Sequence, residues 1–143
     1  MASAIWWARY LMASTAQAAE PAVNELLAQL RSQQWSDRDI FGIQLSLEEA
    51  LTNAIEHGNG GDETKQVELI LQCSVSHVRM EIRDQGKGFD PASIPDPRQE
   101  PYLRVPRGRG LLLIRSYMTH VSYLDSGKHL VLEKYREAQS QVA

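Results

Sequence analysis

Cysteine is almost missing from this chain. Cys73 stands alone, which excludes a disulfide framework and a thiolate metal cluster and fits a reducing, cytoplasmic setting. A basic excess is missing as well: the formal net charge is −3, whereas nucleic-acid binders carry clustered positive charge, so no direct nucleic-acid contact is expected. No stretch approaches the roughly 20 apolar residues that a membrane span needs. A secretory leader is not expected either, because Arg9 interrupts the apolar start and nothing basic precedes it. That start reads instead as a strand, Ile5 to Met12, and its Trp6 and Trp7 suit either an interface or the core. What remains, 143 residues with 43% hydrophobic and 23% charged, suits one globular domain over 1–143.

Periodicity places the elements. Glu20-Pro21-Ala22 opens a helix, proline being tolerated in a first turn, and Val23, Leu26, Leu27 and Leu30 mark its buried stripe. Ser36-Asp37-Arg38-Asp39 caps a second helix that carries Ile40, Ile43, Leu47, Leu51 and Ile55 as far as Gly58. Period-two alternation then gives two strands. Val67, Leu69, Leu71 and Cys73 face inward on the first, and Val78, Met80 and Ile82 on the second, an antiparallel hairpin with one solvated face. Asp84 continues the inward parity, an odd place for a carboxylate. Five prolines (Pro91, Pro95, Pro97, Pro101, Pro106) fall between Phe89 and Gly108, a long aperiodic loop of the functional or disordered kind. A helix starting at the following glycines and a last hairpin, Val121 to Asp125 and Leu130 to Tyr135, complete the chain.

Three polar motifs stand out against this frame. On the second helix Glu49, Asn53 and His57 recur one turn apart, at the shoulder between core and solvent. A solvated face would explain Glu49. Asn53 is harder to dismiss, because a mid-helix asparagine competes with its own backbone. Its amide oxygen is a suitable hard ligand for Mg²⁺, which takes one or two protein ligands and completes its shell with phosphates and water. Glu49, one turn away, is placed to accept a proton from an attacking hydroxyl. His57 suits either the helix's negative end or a pocket.

The second motif, Asp84-Gln85-Gly86-Lys87-Gly88, is a strand end turning into glycines. It reads either as an ordinary turn or as a carboxylate that accepts a hydrogen bond from the adenine exocyclic amine, with Gly86 and Gly88 letting backbone approach the base. The third, Gly108-Arg109-Gly110-Leu111, opens a helix whose free amides suit phosphate. Arg104, Arg107 and Arg109 would neutralise its charge, although loop arginines on a solvated surface are an equal reading. It is neither a dinucleotide fingerprint nor a P-loop.

Taken in order, Glu49-x-x-x-Asn53-x-x-x-His57, Asp84-x-Gly86-x-Gly88-Phe89 and Gly108-Arg109-Gly110-Leu111-x-Leu113-Ile114 resemble the GHKL-type ATPases. The likeness spans Ile5 to Tyr135 and is nearest to the bacterial anti-sigma factor serine/threonine kinases. It implies an α+β fold, a two-layer sandwich with three main helices on one face of a mixed, mostly antiparallel sheet. It implies Glu49 as general base, Asn53 as Mg²⁺ ligand, Asp84 as adenine contact and a lid at about 90–108. Gly86 and Gly88 would pass close to ATP, and Gly108 and Gly110 would form a hinge and phosphate-binding helix start. The family usually carries a threonine that supports the aspartate; alignment of Gly127-Lys128-His129-Leu130 puts His129 there, where an imidazole either substitutes or weakens nucleotide binding. Such kinases phosphorylate a STAS-domain antagonist and sequester a sigma factor, often as homodimers. The alternative is a non-catalytic partner-switching module that binds a sigma factor or regulator with nucleotide as a structural ligand.

Overall fold

The structure, a computed structural model, describes residues 5–87 and 106–137. Most of the expected lid, and Gly88 with it, lies outside these residues. The chain runs β1 (Trp6–Ala13), α1 (Ala16–Ser32), α2 (Asp37–Thr52), a π-helical turn (Asn53–Gly58), β2 (Gln66–Cys73), β3 (His77–Arg83), α3 (Pro106–Tyr117), β4 (His120–Leu124), a short turn (Asp125–Gly127) and β5 (His129–Tyr135). The strands form one sheet in the order β1-β2-β3-β5-β4. Where a mixed, mostly antiparallel sheet was expected, every pairing among the described strands is antiparallel.

Helix starts follow their caps. Thr15 accepts a hydrogen bond from the Ala18 amide at 3.1 Å, so α1 begins at Ala16 and not at Glu20. Pro21 therefore lies inside the helix, where it removes a backbone bond; its exposed position turns the ring toward solvent. Ser36 caps α2 by accepting from the Asp39 amide at 3.1 Å, with Asp37 and Asp39 favourably placed beside the positive helix end. Pro106 takes the first position of α3, where a missing amide costs nothing, so this helix starts two residues before Gly108.

The three helices cover one face of the sheet. Leu26 and Leu30 of α1, Ile43 and Leu47 of α2, and Ile114 of α3 are buried against Leu69, Leu71, Met80 and Leu132. These are the inward residues of β2, β3 and β5, as the alternation requires. Cys73 is buried in the same layer, and burial pushes its thiol up to about 11. The other sheet face carries a polar ladder on β3 and β5, with Trp7 and Leu11 exposed on the edge strand β1. No helix among the described residues is long and apolar enough to cross a membrane.

Candidate active site

The end of α2 carries the first departure from a regular helix. Beyond Thr52 the backbone widens, and the Asn59 amide donates to the Ala54 carbonyl, five residues back, at 2.8 Å. Such π-turns rotate the following residues out of the α-helical register and cluster at functional sites. Glu49 and Asn53 keep their shared face, both half-buried. The expected third member, His57, falls within the wide turn and is exposed, outside the lining of the cleft described below.

Glycines bring distant motifs together. Gly110 of α3 lies so close to α2 that a Cβ there would stand 2.9 Å from Glu49 Oε2 and 3.5 Å from Asn53 Nδ2. Gly58, at the end of the π-turn, faces the Asp84 carboxylate, and a side chain on it would collide with that group. Gly86 is packed against the Gly58 carbonyl, and its amide donates to Asp84 Oδ1 at 2.8 Å. Three sequence-distant segments thus approach one another: the end of α2 with its π-turn, the loop after β3 and the first turns of α3.

Beside them lies a narrow cleft of about 20 Å³ lined by Ala50, Asn53, Ala54, Ile82, Asp84, Tyr123, Gly127, Lys128 and Leu130. Asp84 follows Ile82 on the inward parity of β3, so its carboxylate joins Ala50, Ala54, Ile82 and Leu130 in the lining. Apolar walls beside a hydrogen-bond acceptor suit a purine carrying an amine. Close to it, Asn53 and Glu49 present one amide and one carboxylate, hard oxygen donors of the kind Mg²⁺ takes. Gly58, Gly86 and Gly110 let these segments draw together where a Cβ would collide with Asp84, the Gly58 carbonyl or Glu49, and the donor set so assembled fits a magnesium nucleotide.

Two contributors were not legible in the sequence. Asn59, only 2% exposed, donates to Ser14 Oγ and to the Gln66 carbonyl, both at 3.1 Å, and accepts from the Gln85 amide at 2.7 Å. It braces the loop after Asp84 to the end of β1 and the start of β2; in sequence, Gly58-Asn59-Gly60-Gly61 has the composition of an ordinary turn. Lys128 is the second. Its carbonyl accepts from the Asp84 amide at 2.9 Å, and it lines the cleft beside Gly127. The turn delivering it is left-handed at Asp125, Ser126 and Gly127 (φ 50°, 54° and 82°), a strained run for the two non-glycine residues.

His129 does not reach the cleft. It pairs with Arg83 across β3 and β5, which puts it on the open face, where its Nε2 lies 2.9 Å from Glu81 Oε1 and its Nδ1 accepts from Arg83 at 3.1 Å. Those two bonds together require the tautomer protonated at Nε2. A shift of one residue in a strand reverses the face, so the cleft-facing neighbours in this hairpin are Lys128 and Leu130. Gly108 and the backbone of Arg107 and Arg109 lie in the first turn of α3; their side chains, like Gly88, fall outside the description.

Comparison with known proteins agrees with this geometry. The histidine kinase-like ATPase domain matches residues 11–134. The serine/threonine-protein kinase BtrW of Bordetella bronchiseptica is 31% identical over 110 residues, covering 74% of this chain and 78% of that protein. The serine-protein kinase RsbW of Oceanobacillus iheyensis is 27% identical over 108 residues, 71% of this chain and 68% of its own. An anti-sigma F factor of Geobacillus is 29% identical over 104 residues, 68% of this chain and 70% of its own. Among solved structures, the RsbU and RsbW domains of a Mycobacterium tuberculosis protein superpose with a TM-score of 0.61 at 16% identity, over 93% of this chain and 34% of that one. That superposition shows the shared fold. The chain belongs to the histidine kinase-like ATPase domain family, among its anti-sigma factor serine/threonine kinases.

Proposed function

We propose that the chain transfers the terminal phosphoryl group of ATP to a serine or threonine hydroxyl of a STAS-domain antagonist, and that it holds a sigma factor in the same regulatory circuit. It works in the cytoplasm as one domain over 1–143, and as a homodimer, to which the exposed aromatic edge β1 is suited. The single observation behind the reading is the approach of Gly110 to Glu49 and Asn53 beside the cleft that ends in Asp84.

The roles follow from chemistry. Asp84 accepts a hydrogen bond from the adenine amine, and guanine, with a carbonyl in that place, is disfavoured. Ile82, Leu130 and Ala54 flank the base, and the Gly86 amide fixes the Asp84 carboxylate beside it. Asn53 would hold Mg²⁺, which supplies charge neutralisation on the phosphates. Free backbone amides in the first turn of α3, at Arg107 and Gly108, would meet the same phosphates, with Gly110 one step beyond them. Glu49 orients the acceptor hydroxyl and takes its proton as the new P–O bond forms and the bond to the leaving diphosphate breaks. Positioning and electrostatics carry such transfers, with little covalent work for the protein.

The rival reading, a partner-switching module without catalysis, has two grounds, the His129 departure and the unidentified partner. His129 lies on the other face of the sheet, which removes the first of them. Incubation with γ-labelled ATP and a STAS-domain protein tests the proposal: label passes to the acceptor with wild type and not with Glu49→Ala, while both bind ATP equally. Transfer at the wild-type rate by Glu49→Ala would remove Glu49 from the chemistry.

A further inference from the structure

We propose that Phe41 and Leu45 of α2, with Leu113 of α3 beside them, form the docking ridge for the protein acceptor whose hydroxyl reaches Glu49. The inference rests on the kinase reading above and names the surface that delivers the substrate.

Helical spacing sets the ridge apart from the core. Ile40, Ile43, Leu47, Ala50 and Leu51 point into the protein, whereas Phe41, Leu45 and Glu49 recur every four residues along the seam of α2 with α3. Phe41 is 59% exposed and Leu113 37%, and Leu45, one turn along α2 from Phe41, is half-buried. On α3, Leu113 falls between Gly110, which touches Glu49 and Asn53, and Tyr117, which packs over Gly42. It therefore flanks the same seam. The Phe41 ring is held edge-on against Tyr117, with centroids 6.1 Å apart at 80°, so an exposed aromatic group is already fixed in place.

Distance ties the ridge to the chemistry. Phe41 lies two turns from Glu49, roughly 12 Å along the helix axis. An extended segment of about four residues spans that length. An acceptor protein resting on Phe41 and Leu113 can thus present a hydroxyl to Glu49 without either partner unfolding. Exposed, pre-ordered aromatic side chains dominate binding energy at protein interfaces. Of the other exposed apolar residues, Leu112 adjoins Leu113 on α3, whereas Trp7 and Leu11 of β1 lie on the sheet face away from the helices.

The test is steady-state transfer from labelled ATP to a purified STAS-domain acceptor, with Phe41→Ala, Leu113→Ala, their double variant and Trp7→Ala, each checked for an unchanged melting temperature. Truncation of a docking aromatic raises the acceptor KM about tenfold, more in the double variant. The KM for ATP and the kcat at saturating acceptor stay unchanged, Phe41→Leu recovers part of the loss, and Trp7→Ala has no effect on acceptor KM. An acceptor KM unaltered in the double variant overturns the ridge. So does a change in sedimentation with no change in acceptor KM, which would make this face an interface between copies. Absence of transfer by the wild type overturns the kinase reading itself, and the ridge with it.

Discussion

On the open face of the sheet, Arg79 reaches Glu81 at 2.6 Å and Glu133 at 3.6 Å, His77 meets Glu133 at 3.0 Å, and His129 closes the chain onto Glu81. On the covered face, at the end of α2, Glu49 and Asn53 look across at a glycine; among the described residues no hydrogen bond or ion pair engages either side chain. Both clusters hold polar groups on regular elements, yet their charges are used differently. Across β3 and β5 each charge answers another, and the set is complete within the protein. At the end of α2 the polar pair faces Gly110, whose missing side chain lets α3 come close without engaging either group. A polar cluster that satisfies itself is a surface feature of a stable sheet, and one that faces a glycine cradle is arranged for something brought in.

That contrast can be broken experimentally, and the largest effect is expected at the cleft. Glu49→Ala should slow phosphoryl transfer by about 10²–10⁴, the usual contribution of a positioned general base, in a single-turnover assay. A loss below about threefold would place Glu49 with the structural charges. Gly58→Ala comes next. Its methyl group would displace the Asp84 carboxylate, and the lost hydrogen bond should weaken ATP binding by roughly 10-fold or more with the fold retained by circular dichroism. Unaltered affinity would show that Asp84 has freedom the contact denies. His129→Ala should leave ATP affinity within about twofold and lower stability by roughly 1 kcal/mol or less, as surface pairs do. Weakened ATP binding in that variant would return His129 to the site.

The smallest effect concerns acid. Burial works to raise the Glu133 carboxyl, but hydrogen bonds from His77 and Tyr135 and the charges of His77 and Arg79 outweigh it and hold it below its ordinary value of 4.5. A carboxyl depressed in the folded state stabilises above its unfolded value, and the contribution is lost as pH falls through the folded one. The melting temperature of the wild type should therefore fall more steeply below pH 4.5 than that of Glu133→Gln. Parallel curves would mean that the open-face ladder does not contribute as drawn.

Much of this was readable from residue order because period and parity are local. The alternation of Val67 to Cys73 and Val78 to Ile82 set two strands and their buried faces, and the same parity carried Asp84 into the cleft. What failed to show had physical reasons. The π-turn is invisible in a pattern, since Ala54 and Ile55 continue an α-helical spacing while the backbone has already widened, and His57 swings out as a result. Pro21 drew the start of α1 inward, although the hydroxyl of Thr15 had capped the helix a turn earlier. His129 and Lys128 are adjacent in sequence, and only the register with Arg83 separates a surface histidine from a cleft-lining lysine. Asn59 was hidden by its glycine neighbours, because burial is a tertiary property.

The most direct measurement is calorimetric titration of Mg²⁺-ATP into the wild type and into Asp84→Ala, with GTP as competitor. The account predicts saturable one-to-one binding by the wild type, preference for ATP over GTP, and at least a tenfold weaker constant for Asp84→Ala, a loss of the size expected when a buried acceptor is removed. Equal affinity of the two proteins for ATP, or equal affinity of the wild type for ATP and GTP, would contradict it.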